Sequence, residues 1–406
     1  MSRFLIQVLL ALVATAGCQR QPPLSHIFHN GRIVTVDPQF RIVEAMAIRE
    51  GRIVATGTNS DILKLARSAT QRVDLRGRTV LPGLIDSHVH APNASMYEFE
   101  QPVPDMESIE DVLAYVRARA ETTEPGRWIT LSQVFITRLR EQRYPTRAEL
   151  DKVAPRHPVA FRTGPDASLN SMALSMSGID ANFKVPDGQP CRVERDRTGH
   201  PTGILRNCGR YIPSGTGGST PTDVQRLDRL RELLADYNSV GITSIVDANT
   251  DRAGLELYRT LRDQNALTCR TFLAYGVDGQ APLDKIEATI REAASHPLHQ
   301  HDEMLWLRGI KAFLDGGMLT GSAYMRGAWG VSQIYAITDP EYRGVRFIEA
   351  EKLYQIAKAA LASDLQFTAH SQGEPPSRPS SRPTSASTAT IFRCGTSAPA
   401  SRTPAS

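Results

Sequence analysis

The apolar residues of the C-terminal half recur with two alternating periods. From residue 221 onward, four stretches with helical spacing alternate with four short apolar stretches of strand length. The helical stretches are 222–240, 252–265, 281–295 and 349–363, and the strand-like ones are GITSIVDA, CRTFLAYG, LRGIKAFLDGG and LQFTAH. Such alternation predicts a parallel sheet that is covered by helices. The expected fold class is therefore α/β.

A further strand of the same sheet is predicted upstream, in VLPGLIDSHVHAP from Val80 to Pro92. With it, five β/α units can be recognised. A closed (β/α)8 barrel of the TIM type needs eight. We therefore expect a TIM-like barrel that is incomplete, with its first strand in residues 81–93 and its second to fifth units in residues 221–372.

The segments on either side of the first barrel strand have different patterns. Residues 27–80 contain short alternating strands after glycine turns, as in HNGRIVTVD and IREGRIVATG. This pattern predicts a small antiparallel β-sandwich module that leads directly into the barrel. Residues 94–220 combine predicted helices and strands without regular alternation, and we interpret them as an α+β insertion.

The first residues have the pattern of an export signal. An apolar run, Phe4–Ala14, is followed by small residues and then Cys18. This predicts a signal peptide in residues 1–18 and resembles a bacterial lipoprotein signal, in which Cys18 is lipidated. Residues 14–16, Ala-Thr-Ala, also fit an ordinary cleavage site, so plain secretion stays open. The favoured location is periplasmic or membrane-anchored, with residues 19–26 as a tether and the lipid as the sole membrane attachment.

The last segment, residues 373–406, is rich in Ser, Pro, Thr, Ala and Arg and has no apolar period. A segment of this composition cannot offset the entropy lost on ordering, so disorder is expected. The change is abrupt and follows directly on a good barrel strand. We interpret it as a reading-frame shift that replaced the remaining barrel units.

Composition and charge argue against one class of partner. The net charge is +4, and no basic run or aromatic-interleaved basic patch is present. A nucleic-acid partner is therefore not expected. Nothing in the composition sets the oligomeric state.

Two cysteines flank a predicted hairpin. Cys191 and Cys208 lie on either side of RVERDRTGHPTGILRN, and a turn near Gly199 would place them opposite each other. Export would permit a disulfide. Because connectivity cannot be read from sequence alone, unpaired buried thiols are favoured over pairing.

The strongest chemical signal is a set of four residues at predicted strand ends. His88 and His90 are two residues apart, so in a strand they project from the same face. Two imidazoles on one face can bind a divalent ion, although solvent-facing loop histidines are the alternative. Lys311 lies in the fourth predicted strand, and His370 ends the fifth. Because functional groups gather at the C-terminal ends of barrel strands, the set favours a metal site.

Several motifs together resemble the amidohydrolase superfamily, and within it the branch that includes N-substituted formamide deformylases. They are GRIVTVD, AIREGRIVATG, RTVLPGLIDSHVH, GITSIVDA, GIKAFLDGGMLTGSA and FTAHSQGE, and the resemblance covers most of 27–374. It implies a (β/α)8 barrel with one or two divalent ions, usually zinc. It also implies hydrolysis of a non-peptide carbon–nitrogen bond in an amide-like small molecule through a metal-activated water.

The resemblance also implies roles for single residues. His88 and His90 match the metal ligands of the first strand, and His370 matches the histidine of the fifth. Lys311 matches a fourth-strand position at which many members carry a carboxylated lysine that bridges two ions. Lysine suits this role because its pKa falls readily on burial.

Two residues that the resemblance implies have no counterpart here. They are a sixth-strand histidine and an eighth-strand aspartate that acts as proton shuttle; Asp247 and Asp315 lie near strand ends but at other positions. The expected function is metal-dependent hydrolysis of carbon–nitrogen bonds. A catalytically inactive, truncated remnant of such an enzyme is the alternative.

Overall fold

The computed structural model describes residues 22–373, apart from 98, 100–102, 133, 187 and 214–220. Within this part, the chain divides between Leu84 and Ile85 into two compact units. No helix among the described residues is both long enough and apolar enough to cross a membrane. Cys18 and most of the C-terminal segment, 374–406, lie outside the described residues.

The first unit contains two small sheets and a short helix. Its elements are β1 (His26–His29), β2 (Arg32–Val34), β3 (Ile42–Val43), β4 (Ala45–Arg49), β5 (Arg52–Gly57), α1 (Asn59–Leu63), β6 (Gln71–Asp74) and β7 (Thr79–Val80). The sheet orders are β5-β4-β1-β6 and β3-β2-β7. A core of Leu24, Ile27, Ala45, Ala47 and Ile62 holds the larger sheet against α1.

The strands of this unit are not all antiparallel, and this part of the sequence-based prediction was wrong. The β4–β5 hairpin turns at Glu50 and Gly51, both with positive φ, as a tight hairpin requires. However, β1 pairs with β6, and β2 with β7, in parallel. Each parallel partner returns after several intervening elements, so no local turn signal could predict its direction.

The second unit is built around a five-stranded parallel sheet and a five-stranded insertion sheet. Its elements are β8 (Leu84–Val89, which begins one residue before the division), α2 (Ala91–Ala94), α3 (Ile109–Thr122), β9 (Ile129–Leu131), α4 (Arg147–Val153), β10 (Val159–Thr163), β11 (Asp166–Leu169), α5 (Ser171–Met176), β12 (Arg192–Arg195), β13 (Pro201–Arg206), α6 (Asp223–Ser239), β14 (Ile242–Thr250), α7 (Arg252–Asp263), β15 (Arg270–Gly276), α8 (Leu283–Ser295), β16 (Leu305–Phe313), α9 (Ala350–Ala362) and β17 (Gln366–His370).

The parallel sheet has the order β17-β16-β15-β14-β8 and curls into a half-barrel. This confirms the predicted α/β class and the strand–helix alternation. Helix α6 begins at a capping box, in which Thr222 and Gln225 exchange side-chain and backbone hydrogen bonds. The core between helices and sheet includes Leu230, Leu255, Leu273, Ile310 and Ile356. Each such side chain stabilises the fold by about 1.5–3 kcal/mol when fully buried.

The insertion sheet has the order β12-β13-β11-β10-β9. The predicted hairpin is present as β12 and β13, in which Arg192 pairs with Arg206. This register brings the flanking residues Cys191 and Cys208 together, and they form a disulfide with a Cα–Cα distance of 4.9 Å. The preference for unpaired thiols was therefore wrong. It failed because pairing depends on the hairpin register, which the sequence shows only approximately.

Candidate functional site

The two histidines of the HxH motif lie at the end of β8. Their ring centroids are 5.2 Å apart, with the ring planes at 84°. The backbone N–H of His88 donates to Asp86 Oδ1 at 3.0 Å. His90 is the residue before α2, whose first turn contains Pro92, a residue that suits a helix start. The strand therefore ends where the second imidazole projects, which keeps both rings at one edge of the sheet.

Lys311 lies near the end of β16 and is 1% exposed. It pairs in register with Gly276 of β15, and its Nζ lies 5.2 Å from the ring centroid of Phe313. Burial lowers the pKa of Lys311 to about 8. Because the amine is buried, its neutral form is far more accessible than that of a surface lysine.

His370 ends β17 and pairs in register with Phe313, whose ring centroid lies 5.4 Å away. Its Nε2 is 3.4 Å from the carbonyl oxygen of Gly316. Burial lowers the pKa of His370, and the neighbouring carboxylate of Asp315 opposes this shift. The net shift favours the neutral ring.

The four groups share one electrostatic environment. Burial, together with positive charge on His88, Lys311 and His370, lowers the pKa of His90 to about 4. The pKa of His88 is also lowered, first by burial and then by Lys311 and His370, although part of His88 remains exposed to solvent. These mutual effects indicate that the four side chains are within range of one another's charge, since charge interactions fall off with distance.

The side chains at this site include a donor atom that suits a divalent cation. Nδ1 of His90 is buried and has no hydrogen-bond partner among the described residues. A neutral imidazole with an unused nitrogen is a suitable ligand for zinc. Within the described part of the chain, no three His, Cys, Asp or Glu side chains lie close enough together to hold a metal ion. A cation bound by His88 and His90 would therefore need Lys311 as a further ligand.

Asp247, which the sequence places near a strand end, already has partners within the protein. It is buried in β14, where its carboxylate accepts hydrogen bonds from Tyr258 Oη at 2.9 Å and the Asn249 N–H at 3.2 Å. Burial raises the pKa of Asp247 to about 6. These contacts indicate a role in holding α7 against the sheet.

Asp315 holds together the segments that follow the last two strands. Its carboxylate is 2% exposed and accepts backbone hydrogen bonds from Tyr324 at 2.9 Å, Gln372 at 2.9 Å and Gly373 at 2.8 Å. The arrangement positions the backbone beside His370.

A buried charged cluster was not predicted from the sequence. Arg206 of β13 is fully buried, and its Nε donates to Glu194 Oε1 at 2.6 Å. Its Nη1 lies 3.7 Å from Asp166 Oδ2 and donates to the carbonyl oxygen of Thr320 at 2.9 Å. Burial raises the pKa of Asp166 to about 6, although Arg206 opposes the shift. Charged residues in a polar hairpin are usually solvated, so the sequence contained no signal for this cluster.

Comparison with known proteins supplies the context for this site. Residues 71–376 match the model of the Amidohydrolase family. The chain is 32% identical over 241 residues to N-substituted formamide deformylase of Arthrobacter pascens, covering 57% of this chain and 43% of the relative. It is 26% identical over 357 residues to protein LONG AFTER FAR-RED 3 of Arabidopsis thaliana, covering 85% and 58%.

Solved structures show the same architecture. An uncharacterized metal-dependent hydrolase from Pyrococcus horikoshii superimposes with a TM-score of 0.55 at 20% identity, over 86% of this chain and 65% of that one. At this identity the likeness concerns the fold. The chain spans about half the length of the two relatives that it matches in sequence.

Proposed function

Because this chain belongs to the amidohydrolase family, we propose that it is a metal-dependent hydrolase of non-peptide carbon–nitrogen bonds in amide-like small molecules. The observation that carries the proposal is the pair of neutral imidazoles of His88 and His90 at the end of β8, in the same electrostatic environment as the buried amine of Lys311. This combination of groups suits a cation site better than a proton-relay site.

The proposed ligands are His88, His90, His370 and Lys311, and the proposed ion is zinc, with one or two ions held. Imidazole nitrogen is a preferred zinc donor, and the pKa values of all three histidines are lowered, which favours the neutral form that binds zinc. When bound, the ion would polarise the amide carbonyl and lower the pKa of a water molecule.

Lys311 has a defined chemical task in this proposal. Its neutral amine nitrogen forms a bond to the carbon of CO2 and releases one proton to solvent, which gives a carbamate anion. A carbamate has two oxygens and one negative charge, so it can bridge two cations where a neutral amine cannot. The burial that lowers the Lys311 pKa favours the neutral amine that this step requires.

The proposed substrate class is based on the sequence relatives. One of them is named as a deformylase of N-substituted formamides. Small N-acylated amines, formamides among them, are therefore the first compounds to assay.

The test is to measure zinc content and amide hydrolysis on the same purified protein. A His88→Ala, His90→Ala double variant should lose most of its zinc and all its activity toward N-substituted formamides, measured as formate release. The matched control is a His200→Ala, His301→Ala double variant, since both histidines are exposed. Equal zinc occupancy in the two double variants would remove His88 and His90 from the site.

Export and lipid attachment at Cys18 remain part of the proposal. They rest on the apolar run and the small residues before Cys18, a residue outside the described part of the chain. A periplasmic, lipid-anchored hydrolase would act on small molecules that enter the cell envelope.

A further inference from the structure

A cleft of about 320 Å³ lies where the insertion meets the loop after β15. It is lined by the turn between β10 and β11, by the segment Asn207–Arg210 and by the loop that contains Asp278 and Gln280. We call it the Arg162 cleft, after the β10 residue in its wall.

The Arg162 cleft opens beside the C-terminal edge of the parallel sheet. The backbone N–H of Val277 donates to the carbonyl oxygen of Lys311 at 2.8 Å. The next residue in the chain is Asp278, which lines the cleft. On the other side, the Gln189 side chain donates to the carbonyl oxygen of Gln280 at 3.1 Å and joins the insertion to this loop. The cleft wall is therefore continuous with the strand that carries Lys311.

Among the residues that the structure describes, no carboxylate forms an ion pair with Arg162. Arg162 follows the buried Ala160 on the same face of β10, so its stem starts from a core-facing position. Its Nε is buried without a hydrogen-bond partner, and it forms no ion pair with a described residue. Burial lowers the pKa of Arg162, the direction expected for a cation without a nearby anion.

The wall contains three further charged groups, Asp166, Arg210 and Asp278. The carboxylate of Asp166 lies 3.7 Å from the buried guanidinium of Arg206. Arg210 adds a second guanidinium, and its Nη1 donates to the carbonyl oxygen of Asn207 at 3.2 Å. The remaining acidic group, Asp278, is exposed. Because Arg206 is also bonded to Glu194, the two guanidiniums of the wall, Arg162 and Arg210, are matched in number by its two carboxylates, and the distinctive feature is the buried, unpartnered Nε of Arg162.

We propose that the Arg162 cleft binds a carboxylate of the substrate, and that the preferred substrates are N-acyl amino acids or similar amides that carry an acid group. The planar guanidinium offers paired donors that match the two oxygens of a carboxylate. Such an anion supplies the missing partner of Arg162 and places the amide toward the edge where Lys311 lies. This inference rests on the proposed function and specifies its substrate.

The test uses ligands that bind but cannot be hydrolysed. Levulinate is N-acetylglycine with the amide N–H replaced by CH2, and levulinamide is its uncharged partner. Isothermal titration of the unmodified protein should give levulinate at least tenfold higher affinity than levulinamide. Arg162→Gln should abolish this preference through loss of levulinate binding alone, with Arg162→Lys intermediate.

The matched control is Arg291→Gln, because Arg291 lies on the surface of α8 with its side chain 67% exposed. This variant should bind both ligands as the unmodified protein does. Added salt should weaken levulinate binding and leave levulinamide unchanged, a measurement that needs no variant to fold.

Two results would overturn the inference: equal affinity of the unmodified protein for the two ligands, or full levulinate binding by Arg162→Gln. Neither result depends on turnover. A protein that hydrolyses formamides but shows no levulinate preference would keep the proposed function and reject this substrate class. A protein that prefers levulinate through Arg162 but has no hydrolase activity would keep the carboxylate site and reject the proposed hydrolase function.

Discussion

The guanidinium of Arg206 donates a hydrogen bond to the carbonyl oxygen of Thr320 at 2.9 Å, across 114 positions of the sequence. Arg206 lies in the insertion sheet, and Thr320 lies in the segment that follows β16. The contact therefore ties the insertion to the C-terminal edge of the parallel sheet. Because the carboxylates of Glu194 and Asp166 surround the same guanidinium, the tie depends on one buried cation.

Replacing this cation should strongly destabilise the protein. Arg206→Leu would remove the buried cation between Glu194 and Asp166, leaving Glu194 with its 3.3 Å contact to Arg192, and removal of one member of a buried ion pair costs about 3–5 kcal/mol. Denaturant unfolding should show a loss of that size. Adding Glu194→Gln should recover part of it, since one uncompensated charge is then removed. A loss below about 1 kcal/mol, the range of a surface pair, would contradict the central role of Arg206.

The strand–helix alternation could be predicted because it is local. Helix α6 was expected over 222–240 and spans Asp223–Ser239, since apolar spacing and a threonine cap act within the segment itself. The same reasoning located His88, His90, Lys311 and His370 at the ends of strands. Family membership could also be recognised, because the characteristic motifs lie in these same segments.

Contacts between distant segments could not be predicted. The disulfide depends on the register of β12 against β13, and the Arg206 cluster depends on the packing of the insertion against residues near Thr320. Likewise, Arg162 is one of many arginines in the sequence. Its buried Nε becomes apparent only when the turn between β10 and β11 is placed beside the loop after β15.

The buried carboxylate of Asp247 should give stability a specific pH dependence. Burial and the nearby charge of Asp251 raise the folded-state pKa of Asp247 from 3.8 to about 6, with the hydrogen bond from Tyr258 opposing the shift. The folded state thus binds the proton more tightly than the unfolded state. Ionisation therefore destabilises the fold as pH rises from about 4 to about 6, and the effect is constant above that.

This dependence can be isolated with Asp247→Asn, which keeps an acceptor for Tyr258 and does not titrate. The unfolding free energy of the variant minus that of the unmodified protein should increase by about 2 kcal/mol between pH 4.5 and pH 7.5. Taking this difference cancels the contributions of all other groups. A difference that stays constant with pH would show that Asp247 is not the titrating group.

The disulfide between Cys191 and Cys208 should stabilise the insertion. It closes a loop with a sequence separation of 17, for which the chain-entropy model gives about 3 kcal/mol. Reduction with dithiothreitol should lower the melting temperature of the unmodified protein. A Cys191→Ser, Cys208→Ser variant should melt near the reduced value and be insensitive to dithiothreitol. Sensitivity of that variant would assign the effect to another thiol.

Lipid attachment at Cys18 can be tested directly by labelling and by membrane partitioning. Full-length protein made in a bacterium with lipoprotein processing should incorporate radiolabelled palmitate and partition with membranes. Cys18→Ser should lose the label and the membrane association. If the unmodified chain is cleaved and released without label, the ordinary cleavage site at 14–16 is the one in use.

The role of Lys311 can be tested by removing its side chain and adding short carboxylic acids that could replace it as a ligand. In a protein that hydrolyses an N-substituted formamide, Lys311→Ala should reduce kcat at least a hundredfold and lower the zinc content. A bridging carbamate is a carboxylate analogue, so short acids such as formate or acetate should enter the space left by Lys311 and restore part of the activity. Chloride at the same concentration should not.

The matched control for this experiment is Lys358→Ala, a change in the same half of the chain but on helix α9. It should keep full activity and show no response to acetate. Acetate should raise the activity of Lys311→Ala and leave that of the unmodified protein unchanged. This result would distinguish a ligand role of Lys311 from a packing role, because a small acid cannot replace the lost apolar stem. Full activity of Lys311→Ala, or a loss that no acid relieves, would count against the bridge. The second result would leave Lys311 as a residue that supports the fold of β16, where its stem lies among the buried side chains of the sheet.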